Sequence, residues 1–459
     1  MAFSDIYRHP FFSCIIVAWG AFCLPGAFGA LNGMGAAGQV DATVSNAANA
    51  IVFGVLAVGA FVAGPLVNYL GVKTSFIIGT IGYSPYAASF YVNLHTGNNW
   101  FVIFGSVLLG LSAFMLWTAS SAIFLGYPQE HHKGKAISMK FYFQHIGGSL
   151  GGIISLALNA KGNTRGHVSD ATYYAFITIM CLALPAAFFV SPPEKVRRTD
   201  GTPVKIQPFA SWKQEARSWW ACLSDKRILI LLPYLFYYQF DLSYMWGFNA
   251  AYHSVRARAL MSFLFYLVGP AIGGALTGFF FDAKRWTRRQ KARVAAIFLV
   301  VYSLGVWFFG VGVQYAYDKR PADDVIDWTQ PVFGKSLVLF ILYGLLENSN
   351  VLLIYYLIGS FTSDVNRLTS YAGLVNGIGS VGTVIAFVLG AVDVQLKGQL
   401  WANVACFLAA VPGLLYVAWN VTNPGEDEGA PSGTLTPQSV TYEEKETELR
   451  GVEVPPLTA

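Results

Sequence analysis

Twelve stretches of this chain are long and apolar enough to cross a lipid bilayer, and that repetition fixes the class of fold before any single residue is weighed. They lie near 11–35, 46–70, 74–92, 100–126, 136–159, 171–190, 228–250, 258–281, 294–316, 336–361, 370–392 and 399–420. A spanning helix needs ~20 mostly apolar residues, because hydrocarbon offers no partner to a backbone amide. Only 12% of the 459 residues are charged and 54% are hydrophobic, about half the charge that a soluble domain of this size carries. The chain therefore reads as an all-α polytopic membrane protein with twelve transmembrane helices in two six-helix bundles. The first span follows Ile6-Tyr7-Arg8-His9-Pro10. It is too long for a signal peptide and lacks a cleavage site, so it reads as retained.

Lysine and arginine placement sets the expected orientation. With the N-terminus in the cytoplasm, 21 of these residues fall in inner segments and 8 in outer loops, the asymmetry of the positive-inside rule. Both termini are then cytoplasmic, in a plasma membrane or an endomembrane. The formal charge of +5 is topological, and nucleic acid is not an expected partner. The five cysteines show no paired spacing, so neither a disulfide framework nor a metal site is expected.

Six spans precede a basic connector and six follow it, an arrangement of two bundles that can rock around a central site. The expected organisation is a first bundle at 1–190, a connector at 191–227, a second bundle at 228–420 and an acidic tail at 421–459. In the connector, Phe209, Trp212, Ala216, Trp219, Trp220 and Leu223 fall at helical spacing opposite Lys213, Gln214 and Arg217. That pattern predicts an amphipathic helix on the inner membrane surface. The tail has eight acids, few apolar residues and no means to bury a core, so it is expected to be disordered.

Ionisable groups inside a bilayer are the strongest functional clues, since each costs at least ~2–3 kcal/mol at the helix centre. Glu347 lies about eleven residues into span ten, or ~16 Å, near the midplane. Asn350 follows at i+3 and shares its face. In span seven, Tyr234, Tyr237, Asp241, Tyr244 and Phe248 recur at helical spacing and form an aromatic–polar face. Two readings stand for each acid: a site for substrate or cation, with proton coupling as one form of it, or hydrogen bonding between helices. In span five, His145 is deep enough to relay a proton near neutral pH, or to donate to a neighbouring carbonyl. Lys140, about five residues into that span, is expected to snorkel to the surface.

Several glycine motifs carry no chemistry. Gly377-Ile378-Gly379-Ser380-Val381-Gly382 matches a dinucleotide fingerprint but lies inside an apolar span, where small residues serve helix packing. Gly269-Pro270-Ala271-Ile272-Gly273-Gly274 predicts a kink in span eight. Gly334-Lys335-Ser336 lacks the upstream glycine of a phosphate loop, since position 329 is Thr. No metalloprotease or redox motif is present, and neither an enzyme nor a cofactor is expected.

Two loops carry a resemblance. Gly64-Pro65-Leu66-Val67-Asn68-Tyr69-Leu70-Gly71-Val72-Lys73 resembles the loop signature of the major facilitator superfamily, with Asn68 where the family has an acid. A degenerate copy, Gly278-Phe279-Phe280-Phe281-Asp282 with Lys284 and Arg285, follows span eight. Within that superfamily the chain resembles the Unc-ninety-three-like branch, especially its fungal members. The matching stretches are Leu31-Asn32-Gly33-Met34-Gly35, Gly38-Gln39-Val40-Asp41, Gly82-Tyr83 with Tyr86 to Phe90, Leu116-Trp117-Thr118-Ala119, Tyr127-Pro128, and Tyr371-Ala372-Gly373 with Asn376-Gly377.

The resemblance implies the major-facilitator architecture and a cavity lined by spans one, four, seven and ten. The expected pathway residues are Asn32, Trp117, His145, Tyr237, Asp241, Tyr244, Glu347 and Asn350, with Gly64, Asn68, Gly71, Lys73 and Asp282 at the inner gate. The leading expectation is a secondary transporter that moves a small solute or ion by alternating access, with metabolite efflux or ion coupling as its forms. The alternative is a non-transporting accessory protein with a channel or client receptor as protein partner.

Overall fold

Hydrocarbon-length apolar segments fold here into helices in which every backbone amide can be satisfied internally. The computed structural model describes residues 7–129, 132–198, 204, 211–283, 285–321, 324–362 and 365–423. Its spans are α1 (Pro10–Gly33), α2 (Ala42–Leu70), α3 (Val72–Thr80 with Tyr83–Thr96), α4 (Asn99–Gly126), α5 (Lys133–Asn159) and α6 (Asp170–Ala187). The second set is α7 (Lys226–Tyr237 with Leu242–Tyr252), α8 (Val255–Val268, a π-helical turn Gly269–Gly273, then Gly274–Asp282), α9 (Arg288–Tyr317), α10 (Phe333–Gly359), α11 (Val365–Ala391) and α12 (Leu396–Trp419). Eight of them are long and apolar enough on their own to cross a membrane. Of the other four, α3, α7 and α8 are broken and α5 carries Lys140, Gln144 and His145; α1 also takes a π-helical turn, at Phe22–Gly26. The kink predicted at Gly269-Pro270 is the π-helical turn in α8.

Polar residues stop and start the helices at the membrane surfaces. Asp41 caps α2 by accepting from Thr43 N at 2.8 Å, and Asn98 caps α4 by accepting from Trp100 N at 3.0 Å. Thr287 and Gln290 form a reciprocal capping box at the start of α9, satisfying two amides that no helical carbonyl can reach. Asp225 caps α7 and also accepts from Tyr371 on α11 at 2.7 Å.

Buried apolar residues form two cores. One draws on α1–α6 with Val255 and Ala259 of α8, and the other on α7–α12. The halves meet where α2 runs along α11 and where α5 runs along α8. Tyr266 of α8 illustrates that contact: a Cβ on Gly148 of α5 would come within 2.7 Å of its ring, and one on Gly29 of α1 within 2.5 Å of its hydroxyl. Only glycine allows so close an approach. Met1–Val421 form one compact unit that holds all twelve spans. The connector helix runs Trp212–Leu223, with Lys213, Arg217 and Trp220 exposed and the Trp219 ring tilted against Phe61 of α2, their centres 4.9 Å apart. Phe209 and the tail beyond Asn423 lie outside the described residues.

The two faces of the bundle differ. On the face opposite the termini, Arg256 N donates to Gly162 O at 3.0 Å and Val255 N to Thr164 O at 3.2 Å, joining the second half to the first. Arg256 also forks onto Asp327, which accepts from Ser254 Oγ at 2.6 Å and Thr329 Oγ1 at 2.9 Å as well. On the termini face, Gly64, Gly71, Gly278 and Gly359 have only open space beyond the position of a Cβ.

Hydrogen bonds from Arg256 hold the Asp327 carboxyl well below the usual carboxylate range, against the opposing pull of burial. A carboxylate depressed in the folded state stabilises above its unfolded pKa of about 3.9 and loses that contribution as pH falls further. Asp327→Asn should therefore lower the thermal midpoint by a few degrees at neutral pH, and the gap to wild type should narrow below about pH 4. A gap independent of pH would contradict the assignment.

Candidate functional site

The first half of α7 ends at Tyr237 and the second begins at Leu242, with a turn between them in which Phe240 N donates to Tyr237 O at 2.8 Å. No proline or glycine lies in Tyr238-Gln239-Phe240-Asp241. The cause is tertiary. α11 presses against the break, so that a Cβ on Gly382 would come within 1.9 Å of Phe236 O, and Thr383 Oγ1 donates to the freed Gln239 O at 3.3 Å. A discontinuous span of this kind is where transporter folds place polar chemistry at membrane depth.

Asp241 stands at this break with no exposed surface, and neither carboxyl oxygen has a hydrogen-bond partner among the described residues. Glu347, in the middle of α10, lies within electrostatic range of Asp241, of Tyr238 on α7 and of Tyr266 on α8. It is half-buried and makes no hydrogen bond or ion pair among the described residues. Because Tyr266 reaches across to Gly29 and Gly148, Glu347 sits beside the seam between the halves. Two uncompensated carboxyl groups thus share one region of the second half. Asn348 Nδ2 and Asn350 Nδ2 are also buried without acceptors.

The remaining predicted residues fall into separate places. Asn350 accepts from Tyr234 Oη at 2.9 Å. Tyr237 accepts from Trp307 Nε1 at 2.8 Å, and Tyr244 donates to Gln314 at 3.0 Å, so both tyrosines turn toward α9 inside the second core. The single aromatic–polar face predicted for span seven is split by the break. Asn32 accepts from Asn49 Nδ2 at 2.9 Å and Tyr86 Oη at 3.2 Å, a buried triad tying α1, α2 and α3 together. His145 Nδ1 and Gln144 Oε1 are buried without a partner among the described residues.

Lys140 departs from expectation. Instead of reaching the surface it is 8% exposed, with its ammonium 4.3 Å from the ring centre of Trp117 on α4. The helix starts at Lys133, about a turn earlier than predicted, which places Lys140 deeper than a snorkelling residue. A cation over an indole face is a recognised substitute for a counter-ion.

At the predicted gate, Gly71 takes φ 83° and turns α2 into α3, a conformation open to glycine. Asn68 has no hydrogen-bond partner among the described residues. Lys73 Nζ donates to Phe188 O at 2.7 Å, within the first half, where a cation offsets the partial negative charge at the end of α6. Gly64 lies inside α2. The side chain of Asp282 is outside the described residues.

Sequence reasoning missed Asn49, Tyr86, Arg258 and Tyr266. Arg258 was assigned to an outer loop by its charge, yet it is the first residue of predicted span eight. An arginine at that boundary was the available signal.

Residues 10–318 match the family model described as Major Facilitator Superfamily. The chain belongs to this superfamily. Within it the chain is an UNC93-like protein: it is 32% identical to an UNC93-like protein of Schizosaccharomyces pombe over 93% of this chain and 86% of that one. It is 29% identical to UNC93-like protein 1 of Arabidopsis thaliana over 92% and 93% of the two chains. A third relative, 32% identical over 90% of each chain, is the Notoamide biosynthesis cluster protein O' of Aspergillus versicolor. The xylose transporter XylE of E. coli superposes with a TM-score of 0.62 at 12% identity, over 92% of this chain and 99% of that one. The superfamily member described here is therefore an integral, multi-pass membrane protein with a transporter fold.

The Asn32 triad yields a direct test. Asn32→Ala removes the acceptor of two buried donors and should cost ~1–3 kcal/mol, seen as a lower thermal midpoint in detergent. An unchanged midpoint would show that the triad does not hold α1 to α2 and α3.

Proposed function

We propose that this UNC93-like protein is a secondary transporter that moves a small solute by alternating access, with Glu347 as the group that binds it. The carrying observation is an uncompensated carboxyl in the middle of a span, beside the seam between two six-helix halves. Such a group is costly in hydrocarbon unless a ligand, ion or proton completes it. Asp241, at the break in α7, supplies a second negative group to the same region. The surrounding tyrosines Tyr238 and Tyr266 suit a solute with a cationic or aromatic portion. The termini face, which the lysine and arginine asymmetry makes cytoplasmic, is the side from which solute enters in this state. The relative named for a biosynthesis cluster supports a metabolite as cargo, and so export as the direction.

One observation favours a second reading. Asn68 replaces the family's acid and has no partner among the described residues, while Lys73 stays within its own half. A gate in which Asn68 and Lys73 make no clamp between the halves suits an accessory protein that associates with a channel or receptor and moves nothing itself.

Purified protein should be screened against organic solutes and ions for thermal stabilisation, since a ligand at 100 times its Kd adds about 2.7 kcal/mol. Hits should then be tested for flux in proteoliposomes. Glu347→Gln is expected to reduce flux at least ~10-fold, the order of one lost charged contact, while the protein remains monodisperse. Wild-type flux in Glu347→Gln would refute the assignment. No flux for any solute, with a partner protein retained through purification, would establish the accessory role.

A further inference from the structure

Arg258, in the first turn of α8, has 1% of its surface exposed. Among the described residues no carboxylate pairs with it. Its guanidinium instead donates to four carbonyl oxygens of the other half: Nε to Met34 O at 2.6 Å, Nη2 to Gly35 O at 2.5 Å and to Gln39 O at 3.0 Å, and Nη1 to Gly166 O at 3.1 Å. A charge taken out of water needs such a set of charge-assisted bonds.

The segment that supplies three of those oxygens is unusual. Gly35, Ala36, Ala37 and Gly38 have φ of 78°, 52°, 47° and 83°, four consecutive residues in the left-handed region. Alanine rarely adopts it, and such strain persists only where surrounding contacts over-determine the backbone. Both halves do so: within the first, Tyr173 Oη donates to Ala37 O at 3.0 Å and Val168 N to Gly38 O at 2.8 Å, and the second adds two contacts. Gly35 is pressed against α7, where a Cβ would come within 2.5 Å of Trp246 O, and Asn249 Nδ2 donates to Gly33 O at 2.9 Å. One turn along α8, Ser262 Oγ donates to Ala30 O at 3.1 Å and has no exposed surface.

We propose that residues 34–39 with Gly166 form a guanidinium-binding site on the first half, that Arg258 is its tethered ligand, and that occupancy of this site closes the face opposite the termini. The planar fork of arginine fits four divergent carbonyls, whereas the compact ammonium of lysine cannot reach them all. When that face opens, the site empties into water and the carbonyls become solvated. Arg258 thereby sets the balance between the two open states. The proposal concerns closure, not cargo, and its test requires no solute flux, so it stands or falls apart from the transport reading.

The test uses the full chain with its five native cysteines replaced and Ser262→Cys as reporter. A membrane-impermeant maleimide is applied to the face opposite the termini. With Arg258 present, labelling should be slow. Arg258→Ala should accelerate it on the order of ten-fold, within the usual range of coupling between sites. Millimolar guanidinium should restore protection in Arg258→Ala, and urea, its neutral isostere, should not. Arg258→Lys should label at an intermediate rate and serves as the informative variant if Arg258→Ala does not fold. Labelling unchanged in both variants, or slowed equally by guanidinium and urea, or by neither, would overturn the proposal.

Discussion

A peptide amide without a hydrogen-bond partner in hydrocarbon costs several kcal/mol. This penalty forces every crossing of the membrane into a helix, and it also governs the polar side chains those helices carry. Most of them find one another. Asn32, Asn49 and Tyr86 close on each other in the first half, and Tyr234 with Asn350, Trp307 with Tyr237 and Tyr244 with Gln314 do so in the second. These pairs hold helices in register. Among the groups left over, the ionisable Glu347 and Asp241 on one side of the seam, and Lys140 resting on Trp117 on the other, carry the functional interest.

The same rule explains why the two faces of the bundle differ. Where the halves touch at the face opposite the termini, backbone carbonyls of the first half are removed from water and must be met. Arg258, Asn249, Ser262 and the amides of Val255 and Arg256 meet them. At the termini face Gly64, Gly71, Gly278 and Gly359 have open space beyond a Cβ, and the signature lysine bonds within its own half.

The spans were legible in the sequence because their signal, an unbroken apolar run, is the penalty itself written out. Glu347 stood out for the same reason. The break in α7 was not legible, because Tyr238-Gln239-Phe240-Asp241 contains no helix breaker and the interruption depends on α11 packing against it. Tyr237 and Tyr244 were therefore placed on one face with Asp241, though they turn toward α9. Lys140 was misjudged through a boundary error of about one turn, enough to separate a snorkelling residue from a buried one. Arg258 was hidden by its charge, which reads as loop in any count of lysines and arginines.

On the proposed transporter reading, the two halves move against each other around the Glu347 region. Spin labels at Tyr69 on α2 and Phe279 on α8, exposed residues at the termini face, report one end of the seam. Labels at Trp100 on α4 and Val392 after α11 report the other. Electron–electron distance measurements in lipid, with and without a stabilising solute, should show one distance lengthening as the other shortens. Two distances that stay fixed under every condition, in protein that binds the solute, would contradict the account.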